Sequence, residues 1–271
     1  MLDVVRGRGY GGAKQADALH AAAQDRMIIG IQFPPVTTRS VDIQSAVYVL
    51  LVLVIMPLAA VRSKAVVTGR GGHAPPEKWS VLLRALIVQS LLFVVSYIVA
   101  RSHGMAIWSW TGLHFENLTV GAGALVLLLA AGSLSWHLRT PEERRALWMR
   151  HLLPVTSGQW GLWLLLSIAA GIAEETAYRG VLVVILSSVT ASFVVAAVLS
   201  AFAFAIVHYP QGAKSMGWVF AIGLVMQAVV AATGTLYVAM GVHALYDVTA
   251  AFRALAWMKT EEAESSFGVH P

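Results

Sequence analysis

Residues 158–180 read GQWGLWLLLSIAAGIAEETAYRG. The segment Gly158–Ala173 is almost wholly apolar; Glu174, Glu175 and Arg179 then follow within six positions, and apolar text resumes at Val181. Crossing a bilayer takes roughly 20 predominantly apolar residues in a helix. Upstream, three more segments read this way: Ile43–Val61, with Pro57 as an expected kink, Trp79–Ala100, with Arg84 near its start where it can snorkel, and Leu118–Trp136. A charged loop, Arg139–Arg150, precedes the fourth, Gly158–Ala173. Downstream the apolar text divides into Val181–Ser188, short enough to join its neighbour, then Ala191–His208, Met216–Ala232 and Thr235–Phe252. The fold expected is all-α: a polytopic transmembrane helix bundle of about eight spanning segments.

Composition agrees. Of 271 residues, 58% are hydrophobic and only 12% charged, and the mean hydropathy is +0.70. Soluble domains carry about a quarter charged residues, so lipid is the natural solvent for this excess. The net charge is +5. The basic residues gather in short loops, where anionic headgroups and membrane topology account for them; no basic stripe interleaved with stacking aromatics marks a nucleic-acid partner. The chain has no cysteine, which removes disulfides, thiolate metal sites and a cysteine nucleophile. Residues 1–42 read as a polar, flexible tail with one short helix around Asp17–Gln24, and 256–271 as a polar C-terminal tail; 43–157 hold the N-terminal helices and charged loop, and 158–255 the core that carries chemistry. Basic loops after the first and third spans favour the cytoplasm, the basic N-terminal tail argues against it, and orientation stays open.

A charged side chain at a helix centre costs about 2.5–3.5 kcal/mol on insertion scales. Between Gly171 and Asp247 the chain nevertheless carries Glu174, Glu175, Arg179, His208, His243 and Asp247. Glu175 and Arg179 stand four apart and share a helix face, so they can pair. Glu174 is rotated by about 100° and points elsewhere, leaving one carboxylate tied and one available. His208 precedes Tyr209-Pro210 and should end its helix. His243 and Asp247 are again four apart. Any one of these is more often structural than catalytic. Together, on consecutive spans, they form a set with acid, base and donor functions. Small residues around them, Gly171, Ala173, Ala203, Gly223 and Ala244 among others, let helices approach closely.

At these positions the chain resembles the CPBP family of CAAX-protease and bacteriocin-processing membrane peptidases, whose pattern is E-E-x-x-x-R, F-x-x-x-H and H-x-x-x-N/D on successive spans. Here the three are Glu174-Glu175-Thr176-Ala177-Tyr178-Arg179, Phe204-Ala205-Ile206-Val207-His208 and His243-Ala244-Leu245-Tyr246-Asp247. The resemblance covers about residues 158–255. It implies an intramembrane endopeptidase in which Glu174 and His208 activate water, His243 and Asp247 serve the oxyanion, and Glu175 and Arg179 hold the site in shape. It implies no metal or other cofactor, a peptide or membrane-anchored protein as substrate, and a multi-pass protein of a prokaryotic cell membrane. An ionised Asp247 cannot donate to an oxyanion; the arrangement expected is that Asp247 accepts the His243 ring proton and orients it. Zinc on Glu174, His208 and His243 is the metal-dependent variant. The sequence has no H-E-x-x-H, no Gly-x-Gly-Asp and no serine elbow. Two other classes fit the same polar set: a non-catalytic scaffold or immunity-type protein of this fold, and a Glu/His-lined transporter.

Overall fold

The computed structural model describes residues 42–67, 76–105, 107, 114–145 and 152–266. The N-terminal residues 1–41, with the helix expected around Asp17–Gln24, lie outside that set. Every regular element among the described residues is helical: α1 (Ile43–Leu50), α2 (Met56–Val67), α3 (Lys78–Ser102), α4 (Phe115–His137), α5 (Pro141–Arg145), α6 (Ser157–Glu174), α7 (Val183–Thr190), α8 (Phe193–Val207), α9 (Ala213–Thr233) and α10 (Leu236–Ser266), plus a 3₁₀ turn at Tyr209–Gln211. Four helical runs are long and apolar enough to cross a membrane: Ile43–Lys64, Lys78–Ser102, Phe115–His137 and Ala213–Thr233.

Two joints depart from regular α-helix, and both are π-helical. Leu51–Ile55 link α1 to α2 just before Pro57, so the disturbance expected from a proline without an N–H is taken up as wider turns in the preceding residues. Glu175–Leu182 link α6 to α7. The segments read as Gly158–Ala173 and Val181–Ser188 are thereby one continuous helical run, whose wide turn coincides with the charged triplet. Helix α10 continues to Ser266, through the residues read as the start of a polar tail.

Local chemistry fixes the helix ends. Thr156 and Gln159 form a reciprocal capping box that starts α6, and Asp42 caps α1 by accepting from the Ser45 N–H at 2.7 Å. His208 closes α8, as Tyr209-Pro210 requires. Gly234 ends α9 at φ +66°, a left-handed conformation that glycine adopts without strain.

Helix α6 lies between α3 and α10, its main packing partners, and α9 packs on α8. On α3, Leu82, Leu92, Ser96 and Val99 are buried, whereas Leu83, Ile87, Leu91, Val94 and Ile98 are exposed. An apolar stripe facing outward is lipid-facing surface. Polar ties cross the buried seam: the Tyr48 hydroxyl meets Ser96 Oγ at 2.9 Å and donates to the Ala177 carbonyl at 3.3 Å, joining α1, α3 and the second π stretch. At Gly171 the helices touch backbone to backbone; a Cβ there would stand 2.7 Å from the Met240 carbonyl oxygen. That contact sets α6 against α10 beside the charged residues of both.

Candidate active site

Glu174 and Glu175 straddle the end of α6 and the start of the π stretch, a type of helical irregularity frequent at functional sites. Glu175 and Arg179 are buried, with side chains 0% and 2% exposed, and pair at 3.2 Å (Arg179 Nη1 to Glu175 Oε1). The Arg179 guanidinium also lies 4.3 Å over the Phe204 ring. Phe204 packs edge-on to Tyr178 and tilted against His208, with centroids 5.1 and 4.6 Å away. The aromatic of the second motif thus links the first motif's arginine to its own histidine.

His243, from α10, reaches across to α6. Its Nδ1 donates to Glu175 Oε1 at 2.7 Å, since a carboxylate can only accept. Its Nε2 faces Glu174 Oε2 at 3.6 Å and Asp247 Oδ2 at 3.8 Å. Both lie beyond a hydrogen bond. This corrects one expectation: Glu175, not Asp247, fixes the His243 ring. The spacing of four along α10 does bring Asp247 alongside, but the cross-helix carboxylate sits closer. His208 Nδ1 donates to the Phe204 carbonyl at 2.8 Å, which leaves Nε2 as its lone-pair nitrogen.

Glu174, His208, His243 and Asp247 line one cavity of about 280 Å³, together with Phe204. Its further walls include Leu128, Met226, Trp218 and Tyr246, and it extends past Ala250 to Arg253 and Trp257. Glu175 and Arg179 stand behind this wall. Of the six residues singled out in the sequence, four therefore face the cavity and two brace it. A carboxylate and two imidazoles around one small, mostly apolar space bring acid, base and donor groups together. Among the described residues, no three His, Asp or Glu side chains gather in a way that could hold a metal ion.

Residues 156–249 match the family model described as Rce1-like, type II CAAX prenyl endopeptidase. Over this segment the chain is similar to that family. No curated protein and no solved structure gives a significant match. The matched segment runs from the α6 cap through the three motifs, so the cavity-lining carboxylates and histidines all fall within it. The Rce1-like match, with the apolar spans, supports an integral membrane protein.

One residue of the site lies outside the Rce1-like segment. Gln89, on α3, donates from Nε2 to Glu174 Oε1 at 2.5 Å. By sequence, the N-terminal half offers hydrophobic spans alone. A signal was present: Gln89 falls in register with Leu82, Leu92, Ser96 and Val99, an amide at a packing position of an apolar helix.

Proposed function

We propose that this chain is an intramembrane endopeptidase that hydrolyses a peptide bond of a peptide or membrane-tethered protein with water activated by Glu174 and His208. The observation that supports the reading is the meeting of Glu174, His208 and His243 at one cavity inside the Rce1-like segment.

In this mechanism Glu174 accepts a proton from a water held between it and His208 Nε2. The water oxygen attacks the carbonyl carbon of the substrate. Charge collects on the former carbonyl oxygen, where His243 Nε2 is the donor. With Nδ1 already donating to Glu175, His243 can donate from Nε2 only as an imidazolium; the carboxylates of Glu174, Glu175 and Asp247 balance that charge. The proton taken by Glu174 passes to the amide nitrogen, the C–N bond breaks, and an acid and an amine leave. Asp247 lies at the cavity edge of His243 and acts through its charge, without orienting the ring.

Purified protein in liposomes with candidate peptides tests this. Wild type is expected to cleave, and Glu174→Ala and His208→Ala to lose cleavage by at least about a hundredfold. Variants that cut as well as wild type would falsify the assignment. A chelator arm separates the zinc variant: cleavage that survives chelation fits the metal-free route, and cleavage restored only by zinc replaces it.

A further inference from the structure

We propose that Gln89 is a positioning residue for Glu174, reaching in from the N-terminal half to hold the carboxylate in its working orientation. The inference rests on the peptidase reading for its catalytic consequence and on geometry for the contact. Gln89 Nε2 donates to Glu174 Oε1. Gln89 is not among the residues that line the cavity, whereas Glu174 is. The amide therefore grips the carboxylate from behind and touches no substrate. Its other end, Oε1, is buried without a hydrogen-bond partner. A buried amide oxygen left unsatisfied is destabilising, so the residue is poorly explained as a simple helix tie.

The rest of Glu174's surroundings shows why such a grip matters. Its nearest basic group, His243 Nε2, is 3.6 Å from Oε2, and the guanidinium of Arg179 is committed to Glu175. Gln89 thus supplies the one hydrogen bond on Glu174 among the described residues, and it contacts the oxygen other than the one nearest His243. One oxygen is held and the other is left for water. A glutamine suits this role because its N–H donor carries no charge of its own, so it orients the carboxylate without neutralising it. The site is then a joint product of both halves: three motifs within residues 156–249, and an anchor on α3 that no motif contains.

The test uses the full chain in liposomes, with Gln89→Met, which keeps length and volume but has no donor. It is expected to lower kcat by about tenfold to a hundredfold, with KM little changed and the unfolding temperature not lowered. An infrared readout needs no turnover: the Glu174 carboxylate band, isolated as wild type minus Glu174→Gln, should shift when Gln89→Met removes the bond. A band and kcat equal to wild type in Gln89→Met overturn the inference. So does a loss of kcat that tracks a lower unfolding temperature while the band stays put. If wild type cleaves nothing, the peptidase reading fails by itself, and the band still decides whether Gln89 holds Glu174.

Discussion

Arg179 shows how much of the site is frame. With Glu175 and His243 it forms a buried chain of charges joined through Glu175 Oε1 and Arg179 Nη1, while Glu175 Oε2 and Arg179 Nη2 have no hydrogen-bond partner among the described residues. Removing one member leaves a charge stranded. Arg179→Met should cost about 3–5 kcal/mol of stability, read as a lower unfolding temperature in detergent micelles. Asp247 behaves differently. Because it lies 3.8 Å from His243 Nε2 and Glu175 holds the ring, Asp247→Asn should retain cleavage within about tenfold of wild type, whereas Glu175→Ala should lose it. The two variants, compared in the liposome assay, separate the two possible orienting carboxylates. At this scale the sequence announced its ionisable residues clearly, since each breaks a long apolar text. It concealed their partners. Spacing reports neighbours along one helix, so the His243–Asp247 pair was visible and the Glu175–His243 contact, made between α6 and α10, was not. Gln89 escaped because an uncharged amide barely alters the hydropathy of its span.

Elements place these residues by contact and by cap. Gly171 allows α6 to reach the backbone of α10 near Met240 and Ala244. Gly171→Ala must push the helices apart, costing about 1–3 kcal/mol and moving Glu174 relative to His243. Cleavage should fall more steeply than the unfolding temperature, measured on the same preparation. The α1 cap gives a pH test. The Ser45 backbone N–H, with His103 Nε2 alongside at 2.6 Å, holds the Asp42 carboxyl below its ordinary 3.8. A carboxylate whose folded pKa is depressed adds stability above its unfolded value and loses it as pH falls through the folded one. The difference in unfolding temperature between wild type and Asp42→Asn should therefore be present at neutral pH and fade on the acid side of 3.8, followed by circular dichroism. Helix positions were legible because apolar runs and breakers are local. The π stretch at Glu175–Leu182 was not, because nothing in a list of residues distinguishes a turn closed at five residues from one closed at four.

For the molecule as a whole, the outward face of α3 carries the decisive physics. Leu91 is 59% exposed while its neighbour Leu92 is buried. In water a charge at Leu91 would be harmless; against lipid, Leu91→Lys should cost about 2.5–3.5 kcal/mol and reduce the fraction of protein resisting alkaline extraction from membranes. The all-helical character of the bundle was legible from composition alone, since lipid leaves the backbone few other ways to satisfy itself. The assembly of the site from both halves was not, because it depends on which faces of α3 and α6 meet.

The space beside Glu174 is narrow. A cavity of about 280 Å³ sits at the small end of ligand sites, and a folded helix with its side chains is about 10–12 Å across. A coiled segment is not enclosed by such a space. On the peptidase reading, a substrate would unravel over a few residues, giving up its own backbone hydrogen bonds before the carbonyl meets water. Polypeptides with a frayed end, or with glycine and proline near the scissile bond, would therefore be processed in preference to uninterrupted spans.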